Sequence, residues 1–130
     1  LVPGLDSRFK STGFTSNWSE RHAAYICGLG TFGLSKGIIT EKGTAGRFGS
    51  IVTELRLKPD IKKYNSIYEY CINCGVCAEN CPAEAISTEK GKDHKRCSDF
   101  LDIVKEKHKP YYGCGKCQVG VPCENRNPKD

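Results

Sequence analysis

Apolar and polar residues change their rhythm several times along this chain. Asn17 followed three residues later by Glu20 fits a capping box, and Ala23, Ala24 and Tyr25 continue at helical spacing. The pattern predicts a short helix that Gly28 closes in the left-handed conformation. The β-branched runs Ile38-Ile39-Thr40 and Ile51-Val52-Thr53-Glu54-Leu55 read as strands bounded by glycine turns at Gly43, Gly46 and Gly49, together a hairpin or two-stranded unit leaning on that helix. Beyond residue 80, Ile86-Ser87-Thr88 predicts a short strand turning at Gly91-Lys92-Asp93. Ser98 is placed to cap a helix through Phe100, Leu101, Val104 and Lys107, which Pro110 stops. Acidic Asp99 and Asp102 near its start and lysines near its end suit the helix dipole.

Two unlike segments meet near residues 58–70. Residues 1–58 form a glycine-rich helix and strand segment, 59–70 a linker, and 71–130 a cysteine-rich domain that holds every cysteine except Cys27. Nine cysteines in 130 residues, with no methionine, raise disulfides or metal. Spacing decides between them. Cys71, Cys74, Cys77 and Cys81 crowd too closely to pair without strain, and an odd count leaves one thiol over. Metal ligation by thiolates is the expectation, in a reducing cytoplasm.

Cys71-x2-Cys74-x2-Cys77-x3-Cys81-Pro82 is the spacing of the bacterial two-cluster ferredoxin run. Three cysteines at three-residue intervals let a tight loop wrap one face of a [4Fe-4S] cubane, with Gly75 relieving backbone crowding. Amide N–H groups of such a loop can point at sulfur and stabilise its charge. Pro82 turns the chain away, so Cys81 faces a different cluster and a second ligand set is required. The crossing rule assigns Cys71, Cys74, Cys77 and Cys123 to one [4Fe-4S] cluster and Cys81, Cys97, Cys114 and Cys117 to the other. Cys27 stays open as a substitute for Cys97 or Cys123; otherwise it is a buried small hydrophobe. The pair Cys114 and Cys117 alone would also suit zinc, but the four-cysteine run ending in proline is not zinc spacing. Cys74-Gly75-Val76-Cys77 and Cys114-Gly115-Lys116-Cys117 form a weak internal repeat.

The fold class that follows is α+β: a two-[4Fe-4S] ferredoxin-like core with an inserted helix, preceded by an N-terminal helix and short strands. Charge does not point to nucleic acid. The formal +5 falls to about +1 once eight thiolates and two oxidised cores are counted, and the lysines of 90–109 alternate with acids as on a solvated helix face. No run of eighteen apolar residues exists to span a membrane, and Leu1-Val2-Pro3-Gly4 does not open a signal peptide. The chain lacks an initiator methionine, which leaves open whether it is a trimmed piece of something longer.

Gly28-Leu29-Gly30-Thr31-Phe32-Gly33 spells the dinucleotide fingerprint, but a helix precedes it where the fingerprint needs a strand. A glycine loop at a helix exit lets backbone approach a flat cofactor or a partner domain instead. His22, His94 and His108 stand at no recognisable nucleophile or HExxH spacing, so this segment alone carries no catalytic constellation. His22 reads as a partly buried structural histidine, and Trp18, Phe32 and Phe48 as packing residues.

Glu20-Arg21-His22-Ala23-Ala24, the glycine loop, Ile38-Ile39-Thr40 and Gly49-Ser50-Ile51-Val52-Thr53-Glu54-Leu55 resemble the approach to the ferredoxin module of epoxyqueuosine reductases. The four-cysteine run, Lys95-Arg96-Cys97, Tyr112-Gly113-Cys114 and Cys117-Gln118 continue the likeness over about residues 16–125. Those enzymes and the related reductive dehalogenases pass electrons through two [4Fe-4S] clusters to a cobalamin. The resemblance implies that the lone Cys97 and the last cysteine, Cys123, are ligands. It also implies that Gly28, Gly30, Gly33 and Lys36 face a cofactor. Phe14-Thr15-Ser16-Asn17-Trp18 has no acid where the family has its catalytic aspartate, Lys36 is displaced from the family's Gly-Lys, and the corrinoid-binding half lies outside these residues. The expected function is relay of single electrons from a redox partner or donor protein, through two clusters, to a corrinoid-binding domain. The alternative is a stand-alone dicluster ferredoxin serving another redox enzyme.

Overall fold

The computed structural model describes residues 1–130, with short helices and strands joined by long turns. A 3₁₀ turn at Pro3–Leu5 leads to the hairpin β1 (Ser11–Thr12) and β2 (Thr15–Ser16), then α1 (Glu20–Ile26). Next come β3 (Gly30–Phe32), β4 (Ile38–Thr40), α2 (Val76–Glu79), β5 (Ile86–Ser87), β6 (Gly91–Lys92) and α3 (His94–Lys107), with a last 3₁₀ turn at Lys116–Gln118. Three separate two-stranded antiparallel sheets result, pairing β1 with β2, β3 with β4 and β5 with β6. Helix and strand are thus mixed, as expected of an α+β chain.

Several boundaries differ from the sequence reading. Ser19, not Asn17, caps α1, its hydroxyl accepting from the amide of His22. Asn17 is instead used upstream, where its side chain bonds Lys10 and the carbonyl of Arg8. Helix α3 starts at His94, four residues before the expected cap. Asp93 takes that role by accepting from the Arg96 amide, so Cys97 lies in the first turn of the helix rather than ahead of it. Glycine-rich Gly30-Thr31-Phe32, expected as a loop, is the strand that pairs with Ile38-Ile39-Thr40 in the register Gly30↔Thr40, Thr31↔Ile39 and Phe32↔Ile38. A Cβ on Gly30 would stand 2.1 Å from the carbonyl oxygen of Ile39, so this pairing requires glycine. The β-branched run 51–55 forms no strand, because no other strand of the chain lies beside it.

Packing centres on two small clusters. Ala24, Phe32 and Ile38 are joined by Tyr25 and Phe48. Ile39, Tyr64 and Tyr70 are joined by Tyr25, Cys71 and Cys123. Only 18 of 130 residues are buried, so apolar packing is thin, and none of the nine cysteines is fully buried. Strand β3 carries the path into the cysteine run. The Phe32 amide donates to the Ile67 carbonyl (2.8 Å), and the Tyr70 amide donates to the fully buried Thr31 hydroxyl (2.8 Å), which anchors the residue before Cys71.

A backbone seam ties the glycine-rich segment to the last cysteine. Thr44 N–H donates to the carbonyls of Cys123 (2.8 Å) and Glu124 (3.1 Å), and Ala45 N–H to Glu124 (3.0 Å). Gly43 allows this approach, since a Cβ there would meet the Glu124 oxygen at 2.2 Å.

Candidate metal centre

Local backbone geometry presents the thiols. Gly75 is left-handed (φ 80°, ψ −14°) and opens α2, and Gly115 is left-handed (φ 71°, ψ −7°) and opens the 3₁₀ turn at Lys116–Gln118. The internal repeat is therefore one turn made twice, Cys-Gly-x-Cys, with the glycine carbonyl accepting from Ala78 N–H in the first (2.8 Å) and Gln118 N–H in the second (2.9 Å). The two turns pack against each other, and Asn80 Nδ2 donates to the Val119 carbonyl across them (3.2 Å). After Pro82 the chain folds back so that the Ala85 amide donates to Cys81 Sγ at 3.3 Å, an N–H aimed at sulfur.

Eight cysteines line two cavities, four in each. Cys81, Cys97, Cys114 and Cys117 wall a cavity of about 440 Å³. Cys71, Cys74, Cys77 and Cys123 wall a tighter one of about 20 Å³. The thiols ring these spaces rather than meeting at a point, and no three His, Cys, Asp or Glu side chains stand close enough to share a single ion. Cys27 lines neither cavity; it is exposed at the end of α1, not buried as expected, because the helix stops there and the chain turns away at Gly28.

The other candidates scatter. Gly33 lines the tight cavity, whereas Gly28 and Gly30 line neither. Gly28 lies against the backbone of Lys62, and Gly30 against Ile39. Lys36, left-handed at φ 62°, also lines neither cavity, although Ser35 and Gly37 on either side line the larger one. Its ammonium donates to the Tyr68 hydroxyl (2.6 Å), and its carbonyl accepts from Arg21 Nη1 (2.8 Å), so it bridges three segments. His22 is exposed, bonded to the Ser19 hydroxyl and tilted against Phe32. Trp18 donates to Ser50 Oγ, while Phe48 both packs in the first cluster and lines the larger cavity.

Sequence reasoning passed over the charged wall of the larger cavity. Arg21, Arg47, Lys92 and Lys116 line it with a single acid, Glu20, whose Oε2 is buried without a hydrogen-bond partner. Arg47 sat unmarked among glycines, and Lys92 was hidden in an alternating charge pattern. Protonation follows the same division. Burial, then the neighbouring thiols of Cys71, Cys74 and Cys123, pushes Cys77 up to about 11. Burial raises Cys123 as well. Burial also raises Cys117, but there the Lys92 ammonium pulls the other way. In both cavities a bound cation has protons to displace before thiolates can ligate.

Residues 65–87, which hold Cys71, Cys74, Cys77 and Cys81, match the family model described as a 4Fe-4S binding domain. The chain is 42% identical over 109 residues to a tetrachloroethene reductive dehalogenase of Desulfitobacterium hafniense, covering 78% of this chain and 20% of that protein. It is 30% identical over 127 residues to an epoxyqueuosine reductase of Bacillus anthracis, covering 90% of this chain and 32% of that protein. A trichloroethene reductive dehalogenase of Dehalococcoides mccartyi is 31% identical over 96 residues, 72% of this chain and 17% of that protein. The chain is a relative of the reductive dehalogenases and epoxyqueuosine reductases. It carries a [4Fe-4S]-binding domain, and its chemistry is iron–sulfur electron transfer. It spans about a fifth of the dehalogenases and about a third of the epoxyqueuosine reductase. No solved structure matches it. No helix is long and apolar enough to cross a membrane.

Proposed function

We propose that this chain holds two [4Fe-4S] clusters and relays single electrons through them to a corrinoid, as part of a longer dehalogenase-like or epoxyqueuosine reductase-like protein. The observation that carries this reading is the division of eight cysteines into two fourfold-lined cavities. Cys81, Cys97, Cys114 and Cys117 hold one cluster, and Cys71, Cys74, Cys77 and Cys123 the other. The donor set suits a cubane in both. Room for it exists in the larger cavity; the tighter one has space for about one water, so its four side chains, with exposed Cys74 at the edge, would have to move apart to admit a cluster. Bound clusters supply one-electron redox chemistry, and no atom is transferred with the electron.

The protein's own residues bias that transfer. Lys92, Arg47, Arg21 and Lys116 surround the larger cavity with positive charge and favour the added electron there. Leu34, Ile39, Ile72, Val121 and Pro128 give the tighter cavity an apolar wall that disfavours added charge. Electrons therefore enter at the Cys71 set and settle at the Cys81 set. The corrinoid belongs beside the larger cavity, next to the set of thiols that the cationic side chains surround. Phe48 and Tyr112 offer flat apolar contact there, and the unpartnered Glu20 Oε2 can accept from an amide of the macrocycle's rim.

Metal analysis of the anaerobically purified chain, in its longest natural form, tests this. About eight irons and eight sulfides per chain are expected, with cobalt retained after incubation with cobalamin. Iron and sulfide without cobalt would leave a dicluster ferredoxin. Zinc without labile sulfide would overturn the reading altogether.

A further inference from the structure

The stretch from Ile51 to Lys58 has the pattern of a half-buried strand, yet it lies in the open. Ile51, Leu55 and Leu57 are 73%, 71% and 73% exposed. They alternate with Val52, Glu54, Arg56 and Lys58, so in extended chain one face is apolar and the other largely charged. That amphipathic alternation belongs to a strand with one covered face.

One backbone contact shows how a neighbour would run. The amide of Val52 donates to the Leu1 carbonyl at 2.8 Å, and the Leu1 amine returns a bond to the Val52 carbonyl at 2.9 Å. Such a reciprocal exchange is the hydrogen-bonded pair of an antiparallel ladder. In that register Val2 passes Ile51, and any residues ahead of Leu1 pass Thr53, Glu54 and onward. In this structure the chain bends at Glu54 and Leu55, where Leu55 N–H donates to the Thr53 hydroxyl and Leu57 N–H to the Leu55 carbonyl. Straightened into extended chain, the next positions on the same edge are Glu54 and Arg56, and neither amide finds an acceptor within the chain. An unpaired edge above an apolar face invites a strand. The relatives are three to five times as long as the part this chain spans, so polypeptide to fill the place exists among them.

We propose that the residues immediately preceding Leu1 in the natural polypeptide form a β-strand antiparallel to 53–57. Residues 51–57 thereby become a strand of a sheet in the longer protein, with Ile51, Leu55 and Leu57 on its covered face. The proposal does not depend on the clusters.

Hydrogen exchange read by mass spectrometry tests it, on the 130-residue chain and on the same chain with its natural upstream residues restored. Amides of Glu54 and Arg56 should exchange near the free-peptide rate in the shorter form and at least about tenfold more slowly in the longer one. Arg56→Pro removes one ladder donor and no buried side chain. It should abolish that protection and lower the Tm of the longer form while leaving the shorter form unchanged. Equal exchange in both forms overturns the proposal, as does a natural polypeptide with nothing ahead of Leu1. A dimer of the shorter form that dissociates on Leu55→Asp with Leu57→Asp would assign the face to a second copy and overturn it equally.

Discussion

The two cysteine cavities differ in almost everything except their four thiols. One is roomy, carries four cationic side chains against one carboxylate, and draws Cys97 from a helix and Cys114 and Cys117 from a later turn. The other is narrow and apolar, and it is backed by the tyrosine cluster of Tyr64 and Tyr70 packed on Cys71 and Cys123. Identical ligands in unlike surroundings are how a protein sets two redox centres at different potentials, through charge and burial rather than ligand identity. The comparison teaches that charge and burial, not ligand type, are what distinguish the two sets of thiols.

The sharpest way to break the comparison is to remove one thiol from each side. Cys117→Ala and Cys74→Ala should each reduce iron from about eight to about four per chain, with the surviving cluster distinguishable by electron paramagnetic resonance. Cys27→Ala should leave the count unchanged. Loss of all iron from either ligand variant would mean the two sites are not separable. Gly30→Ala comes next. Its Cβ would collide with the Ile39 backbone, and Ile39 walls the tight cavity, so a loss of about 2–5 kcal/mol in unfolding is expected, with the Cys71 set losing metal first. Lys92→Gln should lower the potential of the Cys81-set cluster by on the order of 50 mV and barely move the other, as followed by redox titration. The smallest effect belongs to Tyr64→Phe. Its hydroxyl donates to the Tyr25 carbonyl, and losing that bond should cost about 0.5–1.5 kcal/mol in thermal unfolding without changing iron content.

Local chemistry was the legible part of this molecule. The four-cysteine run, the left-handed Gly28, the strand at Ile38-Ile39-Thr40 and the body of α3 all rest on residues within a few positions of one another. Misreadings arose wherever a distant partner decided. Gly30-Thr31-Phe32 looks like a loop until Ile39 is brought alongside, and its glycine then becomes the reason the strand can form. The run 51–55 looks like a strand, but strand formation needs an edge to pair with, and the chain offers it only Leu1. Asn17 and Ser19 are equally good caps, and the competing bonds from Asn17 to Arg8 and Lys10 settled the matter. The cationic wall was illegible because Arg21, Arg47, Lys92 and Lys116 come from four separate stretches.

The seam between Thr44 and Cys123 also has a consequence for the order in which the protein is made. Each set of four thiols takes members from both ends of the cysteine-rich region, and about fifty residues separate Cys71 from Cys123. At ribosomal speed that gap is on the order of 3–10 s, during which the first four thiols are exposed and neither cavity has its full lining. The glycine-rich segment is by then already synthesised, its Thr44 amide waiting for a carbonyl that does not yet exist. Neither set of four thiols is complete until Cys117 and Cys123 have been made, so under the proposed two-cluster reading the last turn of the chain must be in place before either site can close.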